Sequence, residues 1–406
     1  MSDALIAAPA RSFSLRLLGG LLFCAALLGW DVGHRAPVAP LAQAVWPTAG
    51  PLVKSRAAPI AESVAPTGSL TLLGRGYIPM PADTPAAHAS TLLALPAAHP
   101  SALLAFWFAG TRESAADVQI AAARFDRATQ QWSAARFVVN RRAMGESLGF
   151  GVRRLGNPVA WLDGRGRIHL FVVATGLGGW AAARIVHLRQ GNEGPDFAAL
   201  SFDVVRVLPL SWLWNTSFLV RTAPLPLQDG GMVLPVHFEL GIKYPVALRF
   251  DASGGFMGMV RVSARKHLLQ ATLLPLDESR WLALMRDQRP NGKVAVAQTL
   301  DHGRHWADLP DLALDNPDAS VAGLSVVPGR LFLAHNSSPH SRTALDLSTS
   351  VDGQHWDLAQ ALAHGSGADE FSYPALAWAG DSLWVSYTEQ RRRIAWQRFS
   401  LLPAAR

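Results

Sequence analysis

The sequence predicts an all-β fold in which four-stranded sheets are arranged in a ring, a β-propeller. From about Leu70 onward, apolar runs of roughly four to seven residues are bounded by Gly, Asp, Asn or Pro, which is the pattern of strands and turns. No stretch beyond Leu70 keeps a helical apolar stripe of the usual length. A strand-hairpin unit recurs at an interval of about 45 to 50 residues, which leaves room for about six or seven blades.

We expect the sheets to be antiparallel, since short runs joined by tight turns form hairpins. The clearest predicted strands lie within residues 167–176, 231–240, 293–300, 330–336 and 382–389.

A turn with a recurring pattern supports the repeat. Residues 299–306 (TLDHGRHW) fit Ser/Thr-x-Asp-x-Gly-x-x-Trp, the pattern of an Asp box; residues 350–356 are one residue shorter, and residues 125–132 are a degenerate third copy. In such a turn Asp accepts backbone N–H groups, Gly supplies a positive φ and Trp packs beneath the hairpin. We assign these turns a structural role.

Composition excludes several classes of protein. The 37 Lys and Arg residues exceed the 30 Asp and Glu residues, but the net charge of +7 is spread along the chain without a long basic run. Nucleic acid is therefore not a predicted partner, whereas an anionic ligand is compatible with this charge. The single cysteine, Cys24, lies in the apolar N-terminal stretch, which excludes disulfides and Cys-based metal sites from the rest of the chain.

The N-terminal stretch has the order of an export signal. Arg11 and Arg16 precede an uncharged apolar run over residues 17–30. Residues 1–30 are therefore predicted to be a signal peptide or an inner-membrane anchor helix, with the remainder in the periplasm or secreted. Residues 31–69, rich in Pro and Ala, are predicted to be a linker, and residues 70–406 to be the propeller.

Several segments resemble the sialidase (neuraminidase) superfamily, and more closely its branch of predicted bacterial neuraminidases. Besides the repeated turns, these segments are residues 107–125, 155–171, 218–239 and 371–376, and the similarity extends over roughly residues 70 to 400. The resemblance implies a six-bladed propeller with one central site. It also implies cleavage of terminal sialic acids by an Asp acid/base and a Tyr nucleophile, with three arginines on the sugar carboxylate.

The resemblance assigns roles to particular residues. Asp117 corresponds to the acid/base on a mobile loop and Tyr373 to the nucleophile. Glu389 is the nearest match to the acid that steadies an arginine. The residues assigned to the carboxylate are Arg112, Arg286 and Arg342.

Two positions depart from the family pattern. His88 stands where the first arginine is expected, and Gln270 stands where a Glu should activate the tyrosine. A Gln cannot accept the tyrosine proton, and a neutral His binds a carboxylate less firmly than the fork of an Arg. We nevertheless place both side chains in the predicted pocket.

A second polar set lies on the predicted hairpin over residues 218–239. His237 and Glu239 are two residues apart, so they share one face of a strand. Glu239 is a candidate replacement for the missing base, and Arg221 a candidate additional cation; a pair on the exposed rim is the alternative. His237 and Glu239 lack a third ligand at metal spacing, so no metal and no cofactor are predicted.

Three functions remain open from the sequence. The first is a monomeric exo-glycoside hydrolase acting on a terminal sialic acid or related acidic sugar of extracellular glycans. The second is a non-catalytic carbohydrate-binding propeller tethered to the cell envelope. The third is an enzyme on another acidic sugar, or a polysaccharide lyase, because a fold does not determine a reaction.

Overall fold

The computed structural model describes residues 10–33, 55–58, 68–176, 178–211 and 215–401. Within these residues, six antiparallel sheets follow one another along the chain and form the blades of a propeller. The predicted all-β, six-bladed fold is therefore confirmed.

The first strand of the chain, β1, belongs to the last blade. Blade 1 contains β2 to β5, which span Ala86–Ala94, Ser101–Gly110, Gln119–Asp126 and Arg136–Val139. Blade 2 contains β6 to β9, which span Arg154–Leu162, Ile168–Thr175, Ala183–Gln190 and Phe202–Val207. Blade 3 contains β10 to β14, which span Phe218–Val220, Leu225–Pro226, Met232–Leu240, Ile242–Phe250 and Phe256–Arg261.

The remaining three blades contain four strands each. Blade 4 contains β15 to β18, which span Leu268–Pro275, Trp281–Asp287, Ala295–Thr299 and Ala307–Leu309. Blade 5 contains β19 to β22, which span Ala322–Val327, Arg330–Asn336, Ala344–Ser350 and Asp357–His364. Blade 6 contains β23 to β25 and β1, which span Phe371–Ala379, Ser382–Glu389, Arg393–Leu401 and Leu70–Tyr77.

The ring is closed by the two ends of the propeller chain. Strand β1 pairs antiparallel with β25, from Leu70 opposite Leu401 to Tyr77 opposite Ala395. Blade 6 therefore takes its outer strand from the beginning of the propeller and its other three strands from the end. Because this pairing joins distant parts of the chain, it ties blade 6 to the start of blade 1.

The core is apolar side chains packed between neighbouring blades. On the second strand of five blades the largest fully buried side chain is aromatic: Trp107, Phe171, Trp281, Phe332 and Trp384. Such rings bury large apolar areas, so they account for much of the blade packing.

The repeated turns adopt the predicted local geometry. Asp301 Oδ1 accepts the backbone N–H groups of Arg304 and His305, and Trp306 Nε1 donates to Gly303 O at 3.0 Å. The turn around Asp352 repeats these contacts, with Trp356 Nε1 bound to Gly353 O. Gly303 and Gly353 have φ values of 82° and 77°, so a side chain there would be strained.

Helices are a minor component of the propeller, as the sequence indicates. Helix α1 spans Ala10–Gly33, and its described side chains are mostly exposed. Among the described residues, no helix is both long and apolar enough to qualify as a membrane span. The prediction of an anchor helix is therefore not supported. Much of the predicted linker lies outside the described residues, but Ala57 is buried and forms a bridge with Leu227 of blade 3.

One short helix, α2 (Arg141–Leu148), was missed by the sequence analysis because eight residues give too little periodicity. The Asn140 side chain caps its first turn by accepting from Ala143 N, and Gly149 ends it at φ 70°. In blade 2 a short 3₁₀ helix (Gly179–Ala182) lies between β7 and β8.

Blade 2 contains a buried polar chain of three side chains. Asp163 Oδ2 lies 3.1 Å from His169 Nε2, and His169 Nδ1 lies 2.7 Å from His187 Nε2. Burial lowers the pKa of His169, although Asp163 acts to raise it. Burial also lowers the pKa of His187, and the neighbouring His169 lowers it further. The two imidazoles are therefore neutral in the folded protein at neutral pH.

This chain should make the protein sensitive to acid. Below the unfolded histidine pKa of about 6.5 the unfolded chain binds protons that the folded chain does not, so stability falls as pH falls. Both histidines contribute to this loss as the pH falls from 7 to 5. We expect His187→Gln, which keeps a partner for His169 but does not titrate, to have a shallower pH dependence, measured by urea unfolding at pH 5 to 8. The exposed control His340→Gln should keep the parental slope; a parental slope in His187→Gln would refute the assignment.

Candidate functional site

The innermost strands share one local irregularity. One non-glycine residue with positive φ lies in or just before the innermost strand of every blade: Ala89, Asn157, Ser217, Gln270, Asp318 and Tyr373. In β2, β6, β15 and β23 this residue coincides with a shift in register, that is, with a β-bulge. Bulges redirect a side chain out of the sheet, and here they occur where the strands enter the hub.

The positive-φ residues of blades 4, 5 and 6 converge on one guanidinium group, that of Arg286. Arg286 is buried near the end of β16; its Nε donates to Asp318 at 2.7 Å and its Nη1 to Gln270 Oε1 at 3.2 Å. Burial alone would lower the pKa of Arg286, but Tyr373 and Asp318 together raise it. Arg286 is therefore a fixed cation in contact with Tyr373.

Tyr373 is the half-buried centre of the site. Its ring lies 4.4 Å from the His88 ring, centroid to centroid, and 5.0 Å from the Arg221 guanidinium carbon. Its φ of 53° is uncommon for a bulky residue, and strain of this kind clusters at functional sites. The structure thus brings together the predicted site residues Tyr373, Arg286, Gln270, His88 and Arg221.

His88 is neutral in the folded protein. Its side chain is buried, and this burial, followed by the nearby charge of Arg391, lowers the pKa of His88 to about 3. His88 therefore cannot supply the positive charge of the arginine that it replaces.

Arg221 connects the hub across the ring. It follows β10 in blade 3, and its guanidinium donates to Pro374 O of blade 6 at 2.8 Å and to Ser90 O of blade 1 at 3.3 Å. Burial lowers the pKa of Arg221 to about 10, which leaves it charged at neutral pH.

Arg342 extends the cluster toward the rim. It lies between β20 and β21, and its guanidinium donates to Asp318 O at 2.5 Å and to Glu370 Oε1 at 3.3 Å. Glu370 also accepts from Arg391, at 2.8 and 3.2 Å. Although burial opposes it, Arg391 and then Arg342 lower the pKa of Glu370 to about 2.

Arg391 and Glu370 were missed by the sequence analysis. Arg391 lies in the turn between β24 and β25, and its backbone O accepts from Ala87 N, next to His88. Glu370, rather than the sequence candidate Glu389, is the carboxylate that pairs with Arg342 and Arg391. Glu389 bonds instead to Tyr77 and Arg393. The adjacency of Glu370 to the FSYP segment was the available sequence clue.

Glu239 lies at the edge of the cluster. Its carboxylate lies 3.5 Å from His237 Nε2 and 3.8 Å from Lys243 Nζ. Because the Glu239 side chain is 30% exposed, the alternative of a pair on the exposed rim describes it in part. Burial acts to raise the pKa of Glu239, but His237, Lys243 and Arg286 lower it. Among the described contacts, none joins Glu239 to the Tyr373 hydroxyl.

Asp117 and Arg112 are exposed on the loop between β3 and β4. Both carboxylate oxygens of Asp117 are occupied by Thr111, which donates its backbone N–H at 2.9 Å and its hydroxyl at 3.0 Å. Arg112 lines a shallow depression together with His88, Glu113 and Arg391. The loop therefore borders the cluster, with the Asp117 carboxylate bound to Thr111 of the same loop.

A larger cavity lies elsewhere. It has a volume of about 560 Å³ and is lined by residues of the β2–β3 and β6–β7 turns, including His99 and Arg165. These turns follow the ends of the innermost strands, whereas the site lies where those strands begin. None of the predicted site residues lines this cavity.

Comparison with known proteins places the chain in a family. Residues 101–385, more than half of the chain, match the model of the BNR repeat-like domain, and the chain belongs to this family. No curated protein sequence matches the chain.

Solved structures with the same fold include sialidases and a protein of unknown function. The chain is similar to the Hadza microbial sialidase Hz136 (16% identity, TM-score 0.61, 78% of this chain and 66% of that one). It is similar to Trypanosoma rangeli sialidase in complex with the inhibitor DANA (12% identity, TM-score 0.62, 82% of this chain and 60% of that one). It is also similar to a protein of unknown function from Dyadobacter fermentans (11% identity, TM-score 0.61, 82% of this chain and 100% of that one).

The chain thus spans two thirds or less of the length of the two sialidases. At these identities the similarity shows the fold alone. The resemblance to the sialidase superfamily is confirmed at that level.

The position of Arg221 generates a prediction about stability. Arg221→Ala removes two hydrogen bonds to backbone carbonyls and leaves a cavity in the hub, so we expect a loss of about 2 to 4 kcal/mol in the free energy of unfolding. The exposed control Arg189→Ala should change it by less than about 0.5 kcal/mol. Urea unfolding measures both, and equal midpoints for the two variants would contradict a bridging role.

Proposed function

We propose that this protein is a sialidase-like exo-glycoside hydrolase that removes a terminal sialic acid or related acidic sugar from extracellular glycans. The observation that carries the proposal is the environment of Tyr373. This half-exposed phenol lies at the hub in contact with Arg286 and Arg221, and Arg342 and Arg391 lie beside it on Glu370.

The guanidinium groups suit an anionic sugar. Arg286, Arg342 and Arg391 offer planar donors that match a carboxylate. A neutral phenol can approach an anomeric carbon that bears a carboxylate, whereas a carboxylate nucleophile would be repelled by it.

In the proposed reaction the Tyr373 oxygen attacks the anomeric carbon, its hydroxyl proton passes through water to Glu239, and Asp117 protonates the leaving oxygen. A water molecule that gives its proton to Asp117 then attacks the anomeric carbon and displaces Tyr373, which regains its proton from Glu239.

The N-terminal segment supports a location outside the cytoplasm. The order of Arg11, Arg16 and the apolar run over residues 17–30 is that of an export segment, and extracellular glycans would meet the protein there. We propose export to the periplasm or the exterior, with the protein acting as a monomer and residues 17–30 either removed or retained as a tether.

A second function, a non-catalytic carbohydrate-binding propeller, is favoured by two observations. Gln270 cannot act as a base in the site, because its Oε1 accepts a hydrogen bond from Arg286 and an amide cannot take up a proton from Tyr373. Asp117 is bound on both oxygens by Thr111. Such a protein would bind acidic glycans without releasing sugar.

Replacing the proposed acid tests the hydrolase. We expect Asp117→Asn to lower kcat for a 4-methylumbelliferyl sialoside by about 10² to 10⁴-fold, because an amide cannot protonate the leaving oxygen. The melting temperature should not change. Asp126→Asn, in a turn on the opposite face, is the matched control and should retain parental turnover. Full turnover by Asp117→Asn on a substrate that the parent cleaves would eliminate the assignment.

Restoring the missing carboxylate separates the two functions. Gln270→Glu places an acid beside Arg286, which also contacts Tyr373, so we expect release of sugar to rise at least about tenfold over the parent. Gln270→Ala, which lacks a base, should not show this gain. The measurement is the sugar released from sialosides during a long incubation. If the parent and Gln270→Glu both bind sialosides but release no sugar, only the binding function remains.

A further inference from the structure

The loop between β3 and β4 is tied to the site by an acidic residue other than Asp117. Glu113 Oε2 accepts a hydrogen bond from Arg391 Nη1. This ion pair joins blade 1 to the turn at the end of β24 in blade 6. With Asp117 held by Thr111, both acids of the loop 111–118 are occupied.

Arg391 is held firmly on its inner side. Gln390 and Arg391 both have φ values of 55°, which is costly for two non-glycine residues in a hairpin turn. Hydrogen bonds from Gln390 N to Glu370 O and from Ala87 N to Arg391 O fix the turn. Nε and Nη2 of the guanidinium are committed to Glu370, so Nη1 is the donor that faces Glu113.

The ion pair between Arg391 and Glu113, in contrast, is exposed enough for a ligand to replace Glu113. The Arg391 and Glu113 side chains are 47% and 29% exposed, and Glu370 is 21% exposed. Arg391, Glu113, Arg112 and His88 line the same shallow depression beside Tyr373. A half-exposed ion pair contributes little net stability, because water and salt compete with it. A ligand carboxylate can therefore replace Glu113 on Arg391 at small cost.

We propose that Glu113 is a stand-in for the ligand carboxylate, and that an acidic sugar displaces it from Arg391 and so releases the loop that carries Asp117. The inference rests on the proposed function and narrows it to ligands that bear a carboxylate. A neutral sugar has no group to exchange for Glu113 and leaves the loop in place. Glu113 is thus a positioning residue that links recognition of the acid to the mobility of the loop that carries Asp117.

The first arm of the test needs no ligand. Glu113→Gln removes the charge that holds the loop, so amide hydrogen exchange over residues 111–118 should be faster than in the parent full-length protein. Glu193→Gln is the matched control, because Glu193 is an exposed carboxylate paired with Arg167 at 3.4 Å in another part of the molecule. It should exchange as the parent does. Unchanged exchange in Glu113→Gln overturns the link, whatever the protein binds.

The second arm uses 2,3-didehydro-2-deoxy-N-acetylneuraminic acid and its neutral methyl ester, with affinities from calorimetry. We expect the acid, but not the ester, to speed exchange over residues 111–118 in the parent. We expect Glu113→Gln to bind the acid about 5-fold more tightly, since no internal carboxylate competes.

The outcomes separate the two proposals. If the parent binds the acid and Glu113→Gln binds it equally or more weakly, the stand-in is refuted and the proposed function stands. Binding of the acid by Glu113→Gln alone supports the stand-in as an inhibitory contact. If neither protein binds the acid, both the acidic-sugar function and the stand-in fail.

Discussion

Closure of the ring is the constraint on which the site depends. Six sheets must fit around one axis, and the innermost strand of each blade enters the hub with a residue of positive φ. Each such residue costs backbone energy, which the pairing of β1 with β25 and the packing of the blades must offset. Closure also brings together around Arg286 three residues that are far apart in sequence: Gln270, Asp318 and Tyr373.

The electrostatics of the hub follow from burial. A guanidinium removed from water needs carboxylates or carbonyls around it, because an unpaired buried charge is strongly destabilising. Arg286 is paired with Asp318, Arg342 with Glu370, and Arg221 with two backbone carbonyls. Toward the rim the pairs become more exposed, which leaves Arg391 accessible to an anionic ligand. The buried pairs therefore maintain the geometry, and the rim pairs are those that a ligand can exchange.

The same burial explains the altered family positions. His88 is buried against Phe108 and Tyr373, where a charge would be costly, so it is a neutral ring in the wall of the site. The cation next to it comes from Arg391, on a turn of blade 6 rather than on β2. Gln270 accepts from Arg286 while adding no charge to a cluster that already holds Asp318. Gln270 thus provides a hydrogen bond to Arg286, and both residues leave the site without the charge that the family pattern has at these positions.

Local patterns in the sequence were sufficient for the strands, since residues 330–336 and 382–389 were predicted to the residue as β20 and β24. They also indicated the repeated turns, whose contacts span a few residues. Helix α2 escaped because it is shorter than the periodicity needed to detect it. Arg286, Arg342 and Tyr373 could be placed only through the family resemblance, because nothing local distinguishes them from surface or core residues.

The sequence by itself determined the fold class, because alternation and turn residues act over short distances and are written in the chain. Tertiary structure alone decided which charged groups meet: Glu370 rather than Glu389 pairs with the arginines, and Arg391 lies beside His88. The physical reason is that these contacts join segments far apart in the chain. Glu370 of blade 6 meets Arg342 of blade 5, and Arg391 meets blade 1 only when β1 pairs with β25. An ion pair between residues such as Glu113 and Arg391 has no sequence pattern, since its two members are fixed by the closure of the ring.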